Sequence, residues 1–176
     1  ELPSTDTDYV LAIDSSSSML ASDMEPTRFE AAKSVSTDFV NELSNQTEVG
    51  VTSFAGEVNR EVDPTADKPL VRSKIENLST GETAGTAIGD ALYASTSMLI
   101  GSNKSRTVIL ITDGRNNVGS EINDSAEYAE SHNVTINAIG IGRQNTTEEQ
   151  EYGVVNGENA SRSEYPNLDV KELYYA

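Results

Sequence analysis

The chain of 176 residues has no cysteine, no tryptophan and one histidine. The missing thiols exclude disulfides, thiolate metal sites and cysteine nucleophiles. Aromatic residues make up only 6% of the chain against 36% hydrophobic residues overall, so any core must be mainly aliphatic. Basic side chains are also scarce, 12 Lys and Arg against 29 Asp and Glu, for a formal net charge of -17. That balance excludes a broad electrostatic attraction to nucleic acid or to anionic lipid. It fits a cation-binding surface, a salt-rich habitat or a wall-exposed location. No run approaches the ~20 apolar residues of a membrane span, which gives no direct membrane insertion of this segment. The opening ELPSTDTD is polar and reads as a linker from a longer protein.

The length suits one domain with a sizeable core. Residues 1–7 read as linker and residues 8–176 as that domain, with 143–176 as its C-terminal part. Tyr9–Asp14 is a short apolar run that predicts a strand buried on both faces. In EPTRFEAAKSVSTDFVNEL, Thr27 and Glu30 have capping-box spacing, and apolar residues then recur at helical intervals. The expected helix covers residues 28–43. EVGVTSF (48–54) predicts a second strand, and Gly56 turns the chain into EVNREVD, a polar edge strand in a hairpin. Pro69–Leu78 is an expected short helix, STGETAGT a loop, and AIGDALYASTSMLI a helix whose Ala87, Ala91, Ala94 and Ser95 suit close packing on a sheet. TVILITD (107–113), a polar helix at about 121–131 and VTINAIGIG (134–142) complete the pattern. Strands alternating with helices predict an α/β, doubly wound, mostly parallel sheet with one antiparallel edge strand and helices on both faces.

In such a sheet the loops leaving the carboxyl ends of parallel strands gather on one edge, where ligands bind. Three of them carry oxygen side chains: Asp14, Ser16 and Ser18 after the first strand, Thr86 at the start of the small-residue helix, and Asp113 after TVILITD. Singly each has an ordinary explanation, since Thr86 could only cap a helix and Asp113-Gly114 could only turn the chain. Together, two carboxylates and three hydroxyls without nitrogen or sulfur suit a hard divalent cation, Mg²⁺ or Mn²⁺, with Ca²⁺ as a further candidate.

These segments resemble the von Willebrand factor type A family, whose metal-ion-dependent adhesion site (MIDAS) combines a D-x-S-x-S loop with a distant Thr and a distant Asp. They fall here on Asp14-Ser15-Ser16-Ser17-Ser18, Thr86 and Asp113. The resemblance covers roughly residues 8–142. SSSSMLASDMEPTRFEAAK, GVTSFAGEV, GTAIGDAL and LITDGRNNVG look like the prokaryotic aerotolerance-type (Bat-like) members. It implies a Rossmann-like fold and a metal-dependent adhesion or assembly module. Ser16 and Ser18 would coordinate the ion, and Asp14 would act mostly through water. Thr86 and Asp113 would exchange direct and water-mediated contact, and a partner protein's Glu or Asp would fill the last position. It further implies an extracytoplasmic address, as the soluble domain of a membrane-anchored or secreted prokaryotic protein. Asn-X-Ser/Thr triplets at Asn45, Asn77, Asn103, Asn123, Asn133, Asn145 and Asn159 agree with that address but arise readily in so polar a chain. Two departures stand out. Many relatives have Gly where this chain has Ser17, so a strained or differently turned loop is expected. LDVKELYYA begins like a helix but runs straight into Tyr174-Tyr175, as if the closing helix were shortened or residues were absent after Leu173.

Two other functions remain open. An Asp ending a first strand is also where haloacid-dehalogenase-like phosphotransferases carry a nucleophile, but that chemistry needs a second acid where Ser16 stands. Serine hydrolysis lacks its G-x-S-x-G elbow, and His132 falls at the opposite edge of the expected sheet. The other alternative is a scaffold with an unused metal site. The charge itself generates a prediction. Self-repulsion at -17 weakens the domain in dilute buffer. Its thermal midpoint should rise between dilute and molar NaCl without Mg²⁺, and a flat response would contradict this.

Overall fold

The computed structural model describes residues 7–142 and the two-residue strand Asp169–Val170. The elements are β1 (Thr7–Asp14), α1 (Arg28–Glu42), β2 (Val49–Phe54), β3 (Val58–Thr65), α2 (Lys68–Glu76), α3 (Ile88–Leu99), β4 (Ser105–Thr112), α4 (Ile122–Ser131), β5 (Val134–Gly140) and β6 (Asp169–Val170). They form one sheet in the order β3-β2-β1-β4-β5-β6. All neighbours are parallel except β2 and β3, which form the expected antiparallel hairpin edge.

Each element follows from its residues. β1 is buried along its whole length, as its unbroken apolar run requires. Side chains alternate across it: Tyr9, Leu11 and Ile13 pack with Phe29, Ala32 and Val40 of α1 and Val71 and Ile75 of α2. Val10 and Ala12 meet Ile88, Ala91 and Leu92 of α3 and Ala126 of α4 on the other face. The helices therefore cover both faces, two on each. Thr27 caps α1, its Oγ1 accepting from the Glu30 backbone N–H at 3.2 Å. Ala87, Ala91 and Ser95 are fully buried, and the Ser95 and Thr52 hydroxyls lie 2.9 Å apart, so small residues do bring α3 close against the sheet.

Most boundaries fall within two residues of expectation. β1 begins at Thr7, inside the segment expected to be linker, and β4 ends at Thr112, leaving Asp113 just beyond the strand. One local reading is overturned. Asp169 and Val170, which open like a helix, pair as a strand with Asn137 and Ala138. The rest of 143–176, including the step from Leu173 to Tyr174, lies outside the described residues.

The amino-end edge is closed by Asp8, only 3% exposed. It accepts from the Glu48 backbone N–H (2.9 Å), Ser102 Oγ (2.6 Å) and Lys104 Nζ (2.9 Å). Burial pushes its carboxyl upward, but these hydrogen bonds and the Lys104 charge together hold it below the ordinary value. A folded value below the unfolded one means the stabilisation is present above about pH 4 and fades as the pH falls through the folded value. Asp8→Ala should therefore lose about 2 kcal/mol in urea melts at pH 7 and less at pH 3. An equal loss at both pH values would refute this assignment.

Candidate metal centre

β1 and β2 are neighbours, and so are β1 and β4, but the chain reaches β4 only after leaving β3 on the far side of the sheet. The connections after β1 thus diverge in opposite directions, opening a crevice at their carboxyl ends. Asp14 stands there at 0% exposure. The next residue anchors the loop: Ser15 N–H donates to Phe54 O at 2.7 Å, and Ser15 O accepts from Gly81 N–H at 2.8 Å. Ser16 N–H then turns back onto Asp14 Oδ1 at 2.8 Å. Residues Ser17–Leu20 form a 3₁₀ turn whose Met19 is fully buried. This turn answers the question raised by Ser17. Asn133 is the only non-glycine residue with positive φ among those described, so Ser17 occupies ordinary backbone space and the loop is not strained there.

From Ser16 a chain of oxygens crosses the crevice. Ser16 Oγ lies 3.1 Å from Ser18 Oγ, and Ser18 Oγ donates to Asp113 Oδ1 at 2.7 Å. Thr112 Oγ1 donates to Asp14 Oδ2 at 2.5 Å and accepts from Gly114 N–H at 3.1 Å. Thr86 is 5% exposed and borders the same place, since a Cβ added to Gly114 would sit 3.9 Å from its Oγ1. It does not cap α3, whose N-cap is Ala87. Gly85 before it has φ +112, a turn that suits glycine. All five predicted residues therefore meet at one edge, four of them in a continuous hydrogen-bonded chain. Ser18 is exposed while Asp14 and Ser16 are buried, so the cluster is a floor with one open side.

Of the two carboxylates, Asp113 pairs with Arg28, while Asp14 accepts from Ser16 N–H and from the Thr112 hydroxyl. Burial pushes the Asp14 carboxyl above its usual range against hydrogen bonds from Ser16 and Thr112, and the charge of Asp113 adds to the rise. No group of three or more His, Cys, Asp or Glu side chains among the described residues is placed to hold a metal. The donors here are two carboxylates and three hydroxyls, a set for a hard cation. His132 ends α4 at the opposite edge, with its Nδ1 2.8 Å from Tyr128 O.

Other residues at the site carry no signal that sequence reasoning could assign. Asn117 clamps the threonine loop, Oδ1 accepting from Thr86 N–H at 2.8 Å and its own N–H donating to Thr86 O at 3.1 Å. Asn116 Oδ1 accepts from Gly89 N–H (3.3 Å) while its Nδ2 donates to Ser120 O (2.9 Å), tying the loop after β4 to α3. Arg28, the first residue of α1, donates from Nη1 to Asp113 Oδ2 at 2.8 Å and grips Asp23 through Nε and Nη2, both at 2.8 Å. RFEAAK and GRNN are visible as parts of longer segments, but their partners lie far away in the chain.

Comparison with known proteins agrees with this geometry. The von Willebrand factor type A domain profile matches residues 9–116. A UPF0353 protein of Mycobacterium sp. (strain KMS) is 28% identical over 148 residues, covering 76% of this chain and 44% of the relative. The chain thus spans under half the length of that relative. Crystallised BatB from Bacteroides thetaiotaomicron is 26% identical with a TM-score of 0.73, covering 94% of this chain and 90% of that one. Proximal thread matrix protein 1 of the mussel byssus, solved with a zinc-occupied MIDAS motif, is 24% identical with a TM-score of 0.67, covering 78% of this chain and 38% of that one. The match over most of the described residues settles the family: the chain belongs to the von Willebrand factor type A domain family and is Bat-like within it.

Proposed function

We propose that the domain is a metal-dependent protein-binding module for adhesion or assembly, not a catalyst. The observation that carries this reading is the crossing of the crevice by hydroxyls and carboxylates from separate loops, with one side open. Ser16 and Ser18 would hold Mg²⁺ or Mn²⁺ through hydroxyl lone pairs, Ca²⁺ being the larger alternative. Asp14, both of whose oxygens already accept hydrogen bonds, would act through bound water and by orienting the loop. Thr86 and Asp113 would exchange direct and water-mediated contact. A bound ion would supply a Lewis-acidic position open to a partner's Glu or Asp.

Two features support the reading beyond the donor set. The mussel protein holds zinc at its own MIDAS. Leu20 and Val118, two large exposed hydrophobic residues, belong to the loops that carry Ser18 and Asp113, as suits a protein partner at the rim. No helix among the described residues is long and apolar enough to cross a membrane. As the Bat-like resemblance implies, the domain would be displayed outside the cytoplasm by a membrane-anchored or secreted prokaryotic protein. Catalysis is disfavoured by Ser16 in place of a second acid and by His132 at the wrong edge. Phosphatase and esterase assays provide the check, and turnover lost in Asp14→Asn would favour an enzyme.

Ser16→Ala combined with Ser18→Ala should weaken Mn²⁺ binding about a hundredfold by calorimetry, with little change in the metal-free thermal midpoint. Unchanged affinity would sink the metal assignment. Capture of a partner from the envelope fraction should need Mg²⁺ and disappear in EDTA. Thr86→Ala should reduce that capture more than it reduces Mn²⁺ affinity, and metal-independent capture would favour the scaffold reading.

A further inference from the structure

The metal reading leaves Arg28 unexplained. Its guanidinium fills the space between Asp23 and Asp113, and the Asp113 side chain beneath it is 0% exposed. A Cβ on Gly142 would lie 3.7 to 3.8 Å from Cζ, Nε and Nη2 of Arg28, so the segment just past β5 closes over the guanidinium where glycine has no side chain. Asp23 takes the paired Nε and Nη2 donors, leaving Nη1 for Asp113 Oδ2. The other Asp113 oxygen already accepts from Ser18 Oγ. Both oxygens of this carboxylate are therefore engaged, one by a full positive charge.

We propose that Arg28 is a positioning residue that biases Asp113 toward water-mediated contact with the ion, lowering metal affinity so that a bound ion would accept an external carboxylate more strongly. The inference rests on the metal-binding reading above. Its physical basis is competition. A carboxylate oxygen paired to guanidinium must surrender a charge-assisted hydrogen bond to reach the ion, whereas a water can bridge from Oδ1 without that loss. With Asp113 held to water-mediated contact, a bound ion would keep more net positive charge and an extra exchangeable water. Asp23 sets the balance by drawing the Arg28 charge away from Asp113, so removing either partner should shift the site in opposite directions.

The test uses Mn²⁺ with wild type, Arg28→Met and Asp23→Asn, each checked for folding by metal-free thermal melting. Arg28→Met should bind Mn²⁺ about ten times more tightly, and Asp23→Asn more weakly. Water proton relaxation of the Mn²⁺-loaded protein should report one coordinated water fewer in Arg28→Met, because Asp113 has entered the shell. Acetate, as the carboxylate probe, should bind the loaded Arg28→Met variant less well than wild type. Equal or weaker Mn²⁺ binding by folded Arg28→Met, or an unchanged water count, overturns the inference and leaves the metal site standing. Absence of Mn²⁺ binding in wild type and both variants overturns the metal reading itself. If Arg28→Met does not fold, Arg28→Lys keeps the charge without the fork. It should shift affinity and water count in the same direction, and no shift overturns the inference.

Discussion

Two carboxylates stand at the ends of hydrogen-bonded neighbouring strands, and much of the surrounding structure answers their mutual repulsion. At the strand spacing of roughly 5 Å, two bare negative charges repel by about 3 kcal/mol at an effective dielectric of ~20. Asp14 is fully buried, and its charge is met by Ser16 N–H and by the Thr112 hydroxyl. Asp113 is met by Ser18 and by Arg28. The cluster of serines after β1 is therefore no generic loop composition. Short hydroxyl side chains can donate to these carboxylates and still present lone pairs to a cation, which amide N–H groups cannot do.

The parts of this arrangement that a sequence reveals are those encoded locally. Apolar runs that stop at an acid placed both aspartates at the carboxyl edge, because a buried strand tolerates a charge only where it ends. Capping chemistry at Thr27 and small-residue spacing in α3 placed two helices closely. What escaped depends on distant partners. Arg28 and Asp113 are 85 residues apart, and Asn117 clamps Thr86 across 31. Ser17 misled for a related reason: glycine is common in that loop, but the 3₁₀ turn asks nothing of its backbone that serine lacks. Asp169 looked like a helix start on local grounds, and the free edge of β5 decided otherwise.

Opposite edges of one sheet thus use charge in different ways. At the amino edge Asp8 is satisfied by a lysine, a hydroxyl and a backbone N–H, a closed arrangement that serves stability. At the carboxyl edge the acids are held in place without being saturated, and Arg28 neutralises only one of them. The same residue type contributes to folding at one end and, on the proposed reading, would face a cation at the other.

The position of β1 and β4 in the middle of the sheet has a mechanical consequence. β1 is bonded on both sides by parallel neighbours along most of its length, and β4 likewise. A tensile load entering through a carboxylate gripped at the crevice would run down the strand axes. It would meet the interstrand hydrogen bonds together in shear, not one after another as in unzipping.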